Sequence, residues 1–307
     1  MVIAMNKILV VCKIQDEILK KYASQIVYQP YLVEFSEHEW EELIASVKPK
    51  IILFGTIHFT KEMMRIWRNH QPNDQIFIVR KGISLGRCNL TAAREYNIDV
   101  FNLPGVNTIF VSNFMKKFLF KENNPTDCIS IIGTGTIGQK IIYEAVNNNI
   151  AVIVHSKTLK NNEDLKKKKW FSDLPANCNI QVSPTIDQAF MNANKIAISI
   201  PYDQNTMGIV HEDYINKITP NALLVSVSEP KIFSDAALRA LFKRDDLFVV
   251  IDHLASEFND IYKIMGCDSH LRKNFFMVEE ATAGVECQQA MSLAAIEKCM
   301  SIVSSCS

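Results

Sequence analysis

Short runs of consecutive apolar residues recur along the chain at 7–12, 51–54, 75–79, 129–132, 151–154, 196–200, 223–227 and 247–251. Runs this short, without polar alternation, predict strands covered on both faces, the environment of a parallel sheet. Between them, apolar positions spaced by three and four residues predict helices over 37–46, 61–69, 90–95, 139–147, 186–191, 211–215 and 235–242. A last helix, over 284–304, closes the chain. Strand and helix alternate throughout, so the predicted class is α/β with doubly wound parallel sheets.

One strand runs directly into a glycine-spaced turn, Cys128-Ile-Ser-Ile-Ile-Gly-Thr-Gly-Thr-Ile-Gly138, and the turn opens a helix. Each glycine has its own reason. Gly133 permits the tight turn, Gly135 lets backbone approach a pyrophosphate, and Gly138 lets helix pack closely on strand. The helix start, Thr136 and Ile137, brings unpaired N–H groups and the positive dipole end to the same phosphates. At the end of the next strand, an NAD-binding chain offers an acid to the ribose 2′-OH. Here the segment reads Val154-His-Ser-Lys-Thr158. Without an acid nothing repels a 2′-phosphate, and Ser156, Lys157 and Thr158 offer a cation and two hydroxyls to one. The expected cofactor is NADP(H), with NAD(H) as the other candidate.

A length of 307 residues accommodates about two domains, and the polar stretch at 121–127, with adjacent asparagines and Pro125, reads as a connection between two units. Thirty-three basic residues balance 33 acidic ones, which argues against a nucleic-acid or anionic-membrane surface. The lysine run at 166–169 reads as a solvated face. Eight cysteines show neither a CxxC nor a paired metal spacing, so reduced thiols and no metal are expected. The apolar start, 1–14, is broken by Asn6, Lys7 and Lys13, and it reads as a first strand rather than a signal peptide. No stretch approaches the roughly 20 apolar residues of a membrane helix. A cytoplasmic protein acting on a small molecule is expected, with no nucleic-acid or membrane partner.

Several further segments carry a resemblance. Leu103-Pro-Gly-Val-Asn-Thr108 is followed by Val111-Ser-Asn113; Ser199-Ile-Pro-Tyr-Asp-Gln-Asn-Thr206 precedes Gly208; Leu223-Leu-Val-Ser-Val-Ser-Glu229 precedes a helix at Asp235; and Ile251-Asp252 is followed by Glu257. With the glycine turn, they resemble the D-isomer-specific 2-hydroxyacid dehydrogenase family. The resemblance implies a Rossmann dinucleotide-binding domain plus a flavodoxin-like substrate domain. It divides the chain into a substrate domain over 1–102, completed by a helix at 286–307, and a cofactor domain over 103–285. It also implies hydride transfer in an interdomain cleft, with Pro201, Thr206, Ser228 and Asp252 on the nicotinamide side.

The resemblance breaks at the chemistry. In the family an arginine grips the substrate carboxylate, a histidine donates the proton and a glutamate tunes the histidine. Here the arginine position holds Glu229, the histidine position holds Glu280, and only Glu257 is kept. A glutamate repels the carboxylate that an arginine fork would bind. Arg87 and Lys231 are the cations that could replace it. If Glu229, Glu257 and Glu280 converge, repulsion and burial would let a pair share a proton and act as general acid. Strand alternation is expected to turn His253 away from Asp252. These residues suggest a divergent NADP(H)-dependent oxidoreductase reducing an imine or neutral carbonyl, in a biosynthetic role. A catalytically inactive nucleotide sensor or scaffold, and an enzyme using bound NADP for a net non-redox step, are the alternatives. The short interval at 114–127 leaves no room for the family's dimerisation arm, so a monomer, or a dimer through another surface, is expected.

Overall fold

The computed structural model describes residues 8–30, 35–124, 126–266 and 273–305. Residues 1–7 of the expected first strand, and Pro125 of the polar stretch at 121–127, lie outside the described residues. The chain divides into two units, Met1–Asn107 with Gly284–Ser307, and Thr108–Ala283.

The first unit runs β1 (Ile8–Val10), α1 (Asp16–Tyr22), β2 (Ile26–Tyr28), α2 (Glu37–Val47), β3 (Ile51–Phe54), α3 (Lys61–His70), β4 (Ile76–Arg80), α4 (Leu90–Glu95) and β5 (Ile98–Phe101). Its strands pair in parallel in the order β2-β1-β3-β4-β5, the flavodoxin-like arrangement. Successive residues of each strand serve opposite faces. Leu9, Ile52 and Ile78 pack with Trp40 of α2 and Trp67 of α3, whereas Ile8, Leu53 and Val79 line the other face. Side-chain caps fix where the helices begin. Ser36 and Glu39 form a reciprocal capping box before α2, and Thr60 caps α3. Each such cap contributes about 1 kcal/mol.

The second unit runs α5 (Thr108–Leu119), β6 (Cys128–Ile132), α6 (Thr136–Asn147), β7 (Ala151–His155), α7 (Asn162–Lys166), β8 (Ile180–Val182), α8 (Ile186–Met191), β9 (Lys195–Ile198), α9 (Glu212–Asn216), β10 (Leu223–Ser226), α10 (Asp235–Lys243), β11 (Phe248–Asp252), α11 (Phe258–Met265) and β12 (Phe275–Val278). All seven strands are parallel, in the order β12-β11-β10-β9-β6-β7-β8. Counted from β6, that is the doubly wound Rossmann order with one added strand, and the winding reverses between β6 and β9. Ile129, Ile131 and Val152 face α5 and α6; Ile196, Leu224 and Val249 face α8 to α11.

The polar stretch expected to join two domains lies within this unit, between α5 and β6. It is polar because it builds a buried anchor. Lys195 Nζ sits 2.7 Å from Asp127 Oδ2 and donates to the carbonyls of Leu119 and Glu122. Burial alone would raise the Asp127 carboxyl; hydrogen bonds from Asn124, Lys195 and Asn194 outweigh it and hold the group below its ordinary value. The last helix, α12 (Val285–Ser305), belongs to the first unit. Its Ala295, Ile296, Cys299 and Ile302 cover the second face of that sheet. Lys81 Nζ, next to β4, adds a hydrogen bond to Gln288 of α12. Among the described residues, no helix is long and apolar enough to cross a membrane.

Candidate active site

Ligands of doubly wound sheets bind outside the carboxyl ends of the strands, where the winding reverses. In the second unit that point lies beyond β6 and β9, at Gly133 and Ser199. Gly133 has φ +103°, and a Cβ there would lie 2.8 Å from the Ser199 carbonyl oxygen. A Cβ on Gly138 would lie 1.9 Å from the Gly133 oxygen. Gly135 differs, because a Cβ on it meets nothing within 4 Å. Gly135 is the N-cap of α6 and has no side chain to cap it. The helix start therefore presents free N–H groups to open space, with Thr136 exposed and Ile137 packed against the core below. Ser199 Oγ is buried without a hydrogen-bond partner. A steric need for glycine at two positions, open space at the third and an orphaned buried hydroxyl fit a dinucleotide pyrophosphate.

At the end of β7, Ser156 and Thr158 bring their hydroxyls within 3.5 Å of each other across a turn closed by Leu159 N to Ser156 O. Lys157 is exposed. Lys168, from the lysine run read above as a solvated face, extends Nζ to 3.4 Å from Thr158 Oγ1. His155 turns back, with Nδ1 3.0 Å from the Ser183 oxygen; burial pulls its imidazole below the ordinary value despite that bond.

The loops after β9 and β10 brace one another. Thr206 Oγ1 donates to the Pro201 carbonyl at 2.7 Å and accepts from Asp203 N, while Ser228 Oγ accepts from Ile200 N at 2.9 Å. Asp252 Oδ1 accepts the N–H groups of Glu280 and Ala281 at 2.8 and 2.9 Å. Burial raises its carboxyl above the ordinary aspartate value, an effect those two bonds reduce.

The three glutamates expected to converge do not all meet. Glu229 and Glu257 come together, but around His253: its Nε2 lies 3.0 Å from Glu257 Oε2 and its Nδ1 3.6 Å from Glu229 Oε2. Glu280 is separate, ion-paired at 2.7 Å with Lys117 of α5. His253 N continues the pairing of β11 with β12 by donating to the Val278 carbonyl, and the ring goes to the two glutamates while Asp252 goes to the N–H groups of Glu280 and Ala281. The His253 side chain is 6% exposed, against 34% for Glu229 and 28% for Glu257. One ligand atom from each residue lies within 4.8 Å of the others, a spacing that a divalent cation could also use. Spacing in sequence hid this set, since Glu229 lies on a different strand end; the four-residue step from His253 to Glu257 was the one visible signal. Of the two replacement cations, Arg87 is in the first unit, donating to the Thr56 carbonyl and 3.1 Å from His58, and Lys231 is exposed.

Comparison with known proteins agrees with this cofactor half. A glyoxylate reductase from Pyrococcus furiosus is 23% identical over 110 residues, which are 36% of this chain and 29% of that protein. The matched part thus spans under a third of the length of that curated relative. Among solved structures, D-lactate dehydrogenase from Aquifex aeolicus, complexed with NAD and lactic acid, superposes with a TM-score of 0.72 at 14% identity, covering 98% of this chain and 96% of that one. An acyclic imino acid reductase in complex with NADPH and D-Arg gives 0.72 at 17% identity, covering 97% of each chain. Residues 113–274 match the family model described as D-isomer specific 2-hydroxyacid dehydrogenase, NAD binding domain. That segment holds the glycine turn, strands β6 to β11 and the loops that follow them, and by it the chain belongs to the D-isomer-specific 2-hydroxyacid dehydrogenase family.

Proposed function

We propose that this protein is an NADP(H)-dependent oxidoreductase that reduces a C=N or an uncharged C=O group rather than a simple 2-oxo acid. The observation that carries the proposal is the Glu229, His253 and Glu257 cluster at the ends of β10 and β11. Two carboxylates and one imidazole give the site an acidic character. A substrate carboxylate about 4 Å from Glu229 would meet repulsion of about 1 kcal/mol in water and about 4 kcal/mol in a surface-like dielectric. An iminium nitrogen gains from the same field. The fold accommodates such chemistry, as the imino acid reductase among its neighbours illustrates.

When bound, the nicotinamide cofactor supplies the hydride. Gly133, Gly135 and Gly138, with Thr136 and Ile137, would hold its pyrophosphate, and Ser156, Lys157 and Thr158 its adenosine phosphate. Pro201, Thr206, Ser228 and Asp252 would shape the nicotinamide side. Glu229 and Glu257 would orient the substrate and manage its proton. Only eight residues lie between the end of α5 at Leu119 and the start of β6 at Cys128, too few for the family's dimerisation arm; a monomer, or a dimer through another surface, is proposed.

NADPH oxidation with imines formed from uncharged ketones or aldehydes and methylamine, with neutral aldehydes, and with free 2-oxo acids tests the reading. We expect imine turnover to be fastest, and Glu229→Gln to lower it about tenfold or more while leaving NADPH affinity unchanged. Brisk pyruvate or glyoxylate reduction that is lost on Glu229→Gln would overturn it. Tighter binding of NADH than of NADPH would overturn the cofactor choice.

A further inference from the structure

The two glutamates of the cluster stand differently toward the imidazole. Glu257 Oε2 is within hydrogen-bond distance of Nε2 at 3.0 Å, whereas Glu229 Oε2, 3.6 Å from Nδ1, is beyond it. A carboxylate has no hydrogen to give, so in the neutral ring Nε2 carries the hydrogen and Nδ1 is a bare acceptor. Among the described residues nothing donates a hydrogen bond to Nδ1 or to the Glu229 carboxylate, although the His253 side chain is only 6% exposed. The neighbouring acids serve backbone: Asp252 Oδ1 accepts from Glu280 N and Ala281 N, and Glu279 Oε2 accepts from Ala255 N at 2.9 Å. Nδ1 and Glu229 thus face one gap as two acceptors without a donor.

A nitrogen bearing two or more hydrogens can stand about 2.9 Å from both acceptors at once. An ammonium ion supplies those hydrogens and also answers the negative charge of Glu229. We propose that the gap binds a primary amine as its ammonium ion, and that the protein condenses this amine with an uncharged carbonyl compound. The whole reaction is then a reductive amination, and the inference rests on the reduction proposed above as its second half. Glu229 takes one proton from the ammonium, and the freed nitrogen bonds to the carbonyl carbon as the C=O π bond opens. A proton moves from that nitrogen to the oxygen, giving a carbinolamine. Glu229 returns its proton to the hydroxyl, the C–O bond breaks, water leaves and the nitrogen lone pair forms C=N. Glu229 is again a carboxylate, now beside an iminium, which accepts a hydride without any further proton. The condensation is redox-neutral, and the reductant is the NADPH of the proposed function. Nδ1 holds the ammonium, and Glu257 holds the ring.

Nitrogen-15 spectra of the His253 ring test the ammonium site without turnover. We expect Nδ1 to be the unprotonated nitrogen at neutral pH, and methylammonium to shift it. Tetramethylammonium, equal in charge but without N–H, should not, and Glu229→Gln should abolish the response. A protonated Nδ1 or an equal response to tetramethylammonium overturns the site. So does tight Mn²⁺ binding that disappears in Glu229→Gln, which would make the three residues metal ligands. Turnover tests the condensation, with NADPH, methylamine and the best neutral carbonyl compound of the panel above. At a constant product of the two concentrations, the rate should pass through a maximum as their ratio is varied, because both compounds bind. An imine formed in solution depends on that product alone, so a flat or steadily falling profile overturns the condensation. Glu229→Gln should lower turnover of the pair about tenfold or more. 2-Methyl-1-pyrroline, a cyclic imine that needs no condensation, separates the two halves. If it is reduced while the pair is not, the reduction stands and the condensation fails. If neither is reduced, the reduction fails and takes the condensation with it, and the ring spectra still decide the ammonium site.

Discussion

The glycine turn after β6 and the acidic cluster after β10 and β11 occupy the same edge of one sheet, yet they are specified in different ways. At the turn, the demand is steric and local. Gly133 and Gly138 lie five residues apart, and each is required because a Cβ would strike backbone oxygen. At the cluster, the demand is for three side chains to meet from separate segments, and no local pattern announces it. A backbone requirement can be read along the chain, whereas a side-chain convergence needs the register of neighbouring strands.

The sharpest test of that contrast compares two glycines of the turn. Gly138→Ala should be destabilising by about 3 kcal/mol or more, since a rigid backbone oxygen has to move. Gly135→Ala should leave the melting temperature nearly unchanged, because its Cβ enters open space, while NADPH affinity falls about tenfold as the methyl group intrudes on the pyrophosphate. Equal melting temperatures for the two variants, followed by calorimetry, would break the assignment. A smaller effect should follow from Lys168→Ala. If that lysine supplements Lys157 at a 2′-phosphate, NADPH affinity should drop about fivefold and NADH affinity should hold, as fluorescence titration can show. An equal loss for both cofactors would return Lys168 to the solvated face.

On the chemical side, Asp252 gives a pH-dependent test. Burial raises its carboxyl, so its contribution to stability is fully present below the ordinary aspartate value and is lost as pH rises through the raised value. Asp252→Asn keeps an oxygen for the two backbone N–H groups and removes the charge. The variant should melt about 1–3 °C above wild type near pH 8 and match it near pH 3. The smallest effect is expected for Glu280→Gln. Its pair with Lys117 is well exposed on both sides, so turnover should stay within about twofold of wild type. A loss as large as that of Glu229→Gln would place Glu280 back among the acids that matter.

Much of the fold was legible, and two of the missed strands share a cause. Of the twelve described strands, the eight central ones match the apolar runs, and the four without a run are β2, β5, β8 and β12, the two edges of each sheet. An edge strand has one neighbour and is less covered, so Ile98-Asp-Val-Phe101 and Ile180-Gln-Val182 mix polar with apolar residues, whereas Ile26-Val-Tyr28 and Phe275-Phe-Met-Val278 are short but apolar throughout. The polar stretch at 121–127 misled for a related reason. Asparagine and aspartate there look like a linker, but they serve the buried Lys195 ammonium, whose own signal was one lysine at the start of an apolar strand. Lys168 was hidden within a charge run, because nothing in composition tells a solvated lysine from one aimed at a hydroxyl.

The sequence by itself determined the parallel α/β class, the glycine turn and the lack of an acid after β7, because each follows from local sterics or from residue identity. Only the tertiary structure decided that Glu229 and Glu257 share His253, that Glu280 pairs with Lys117 instead, and that Lys168 reaches Thr158. Those outcomes depend on where strands end and how neighbouring loops are anchored, and such distances of a few ångströms are set by packing across the sheet rather than along the chain.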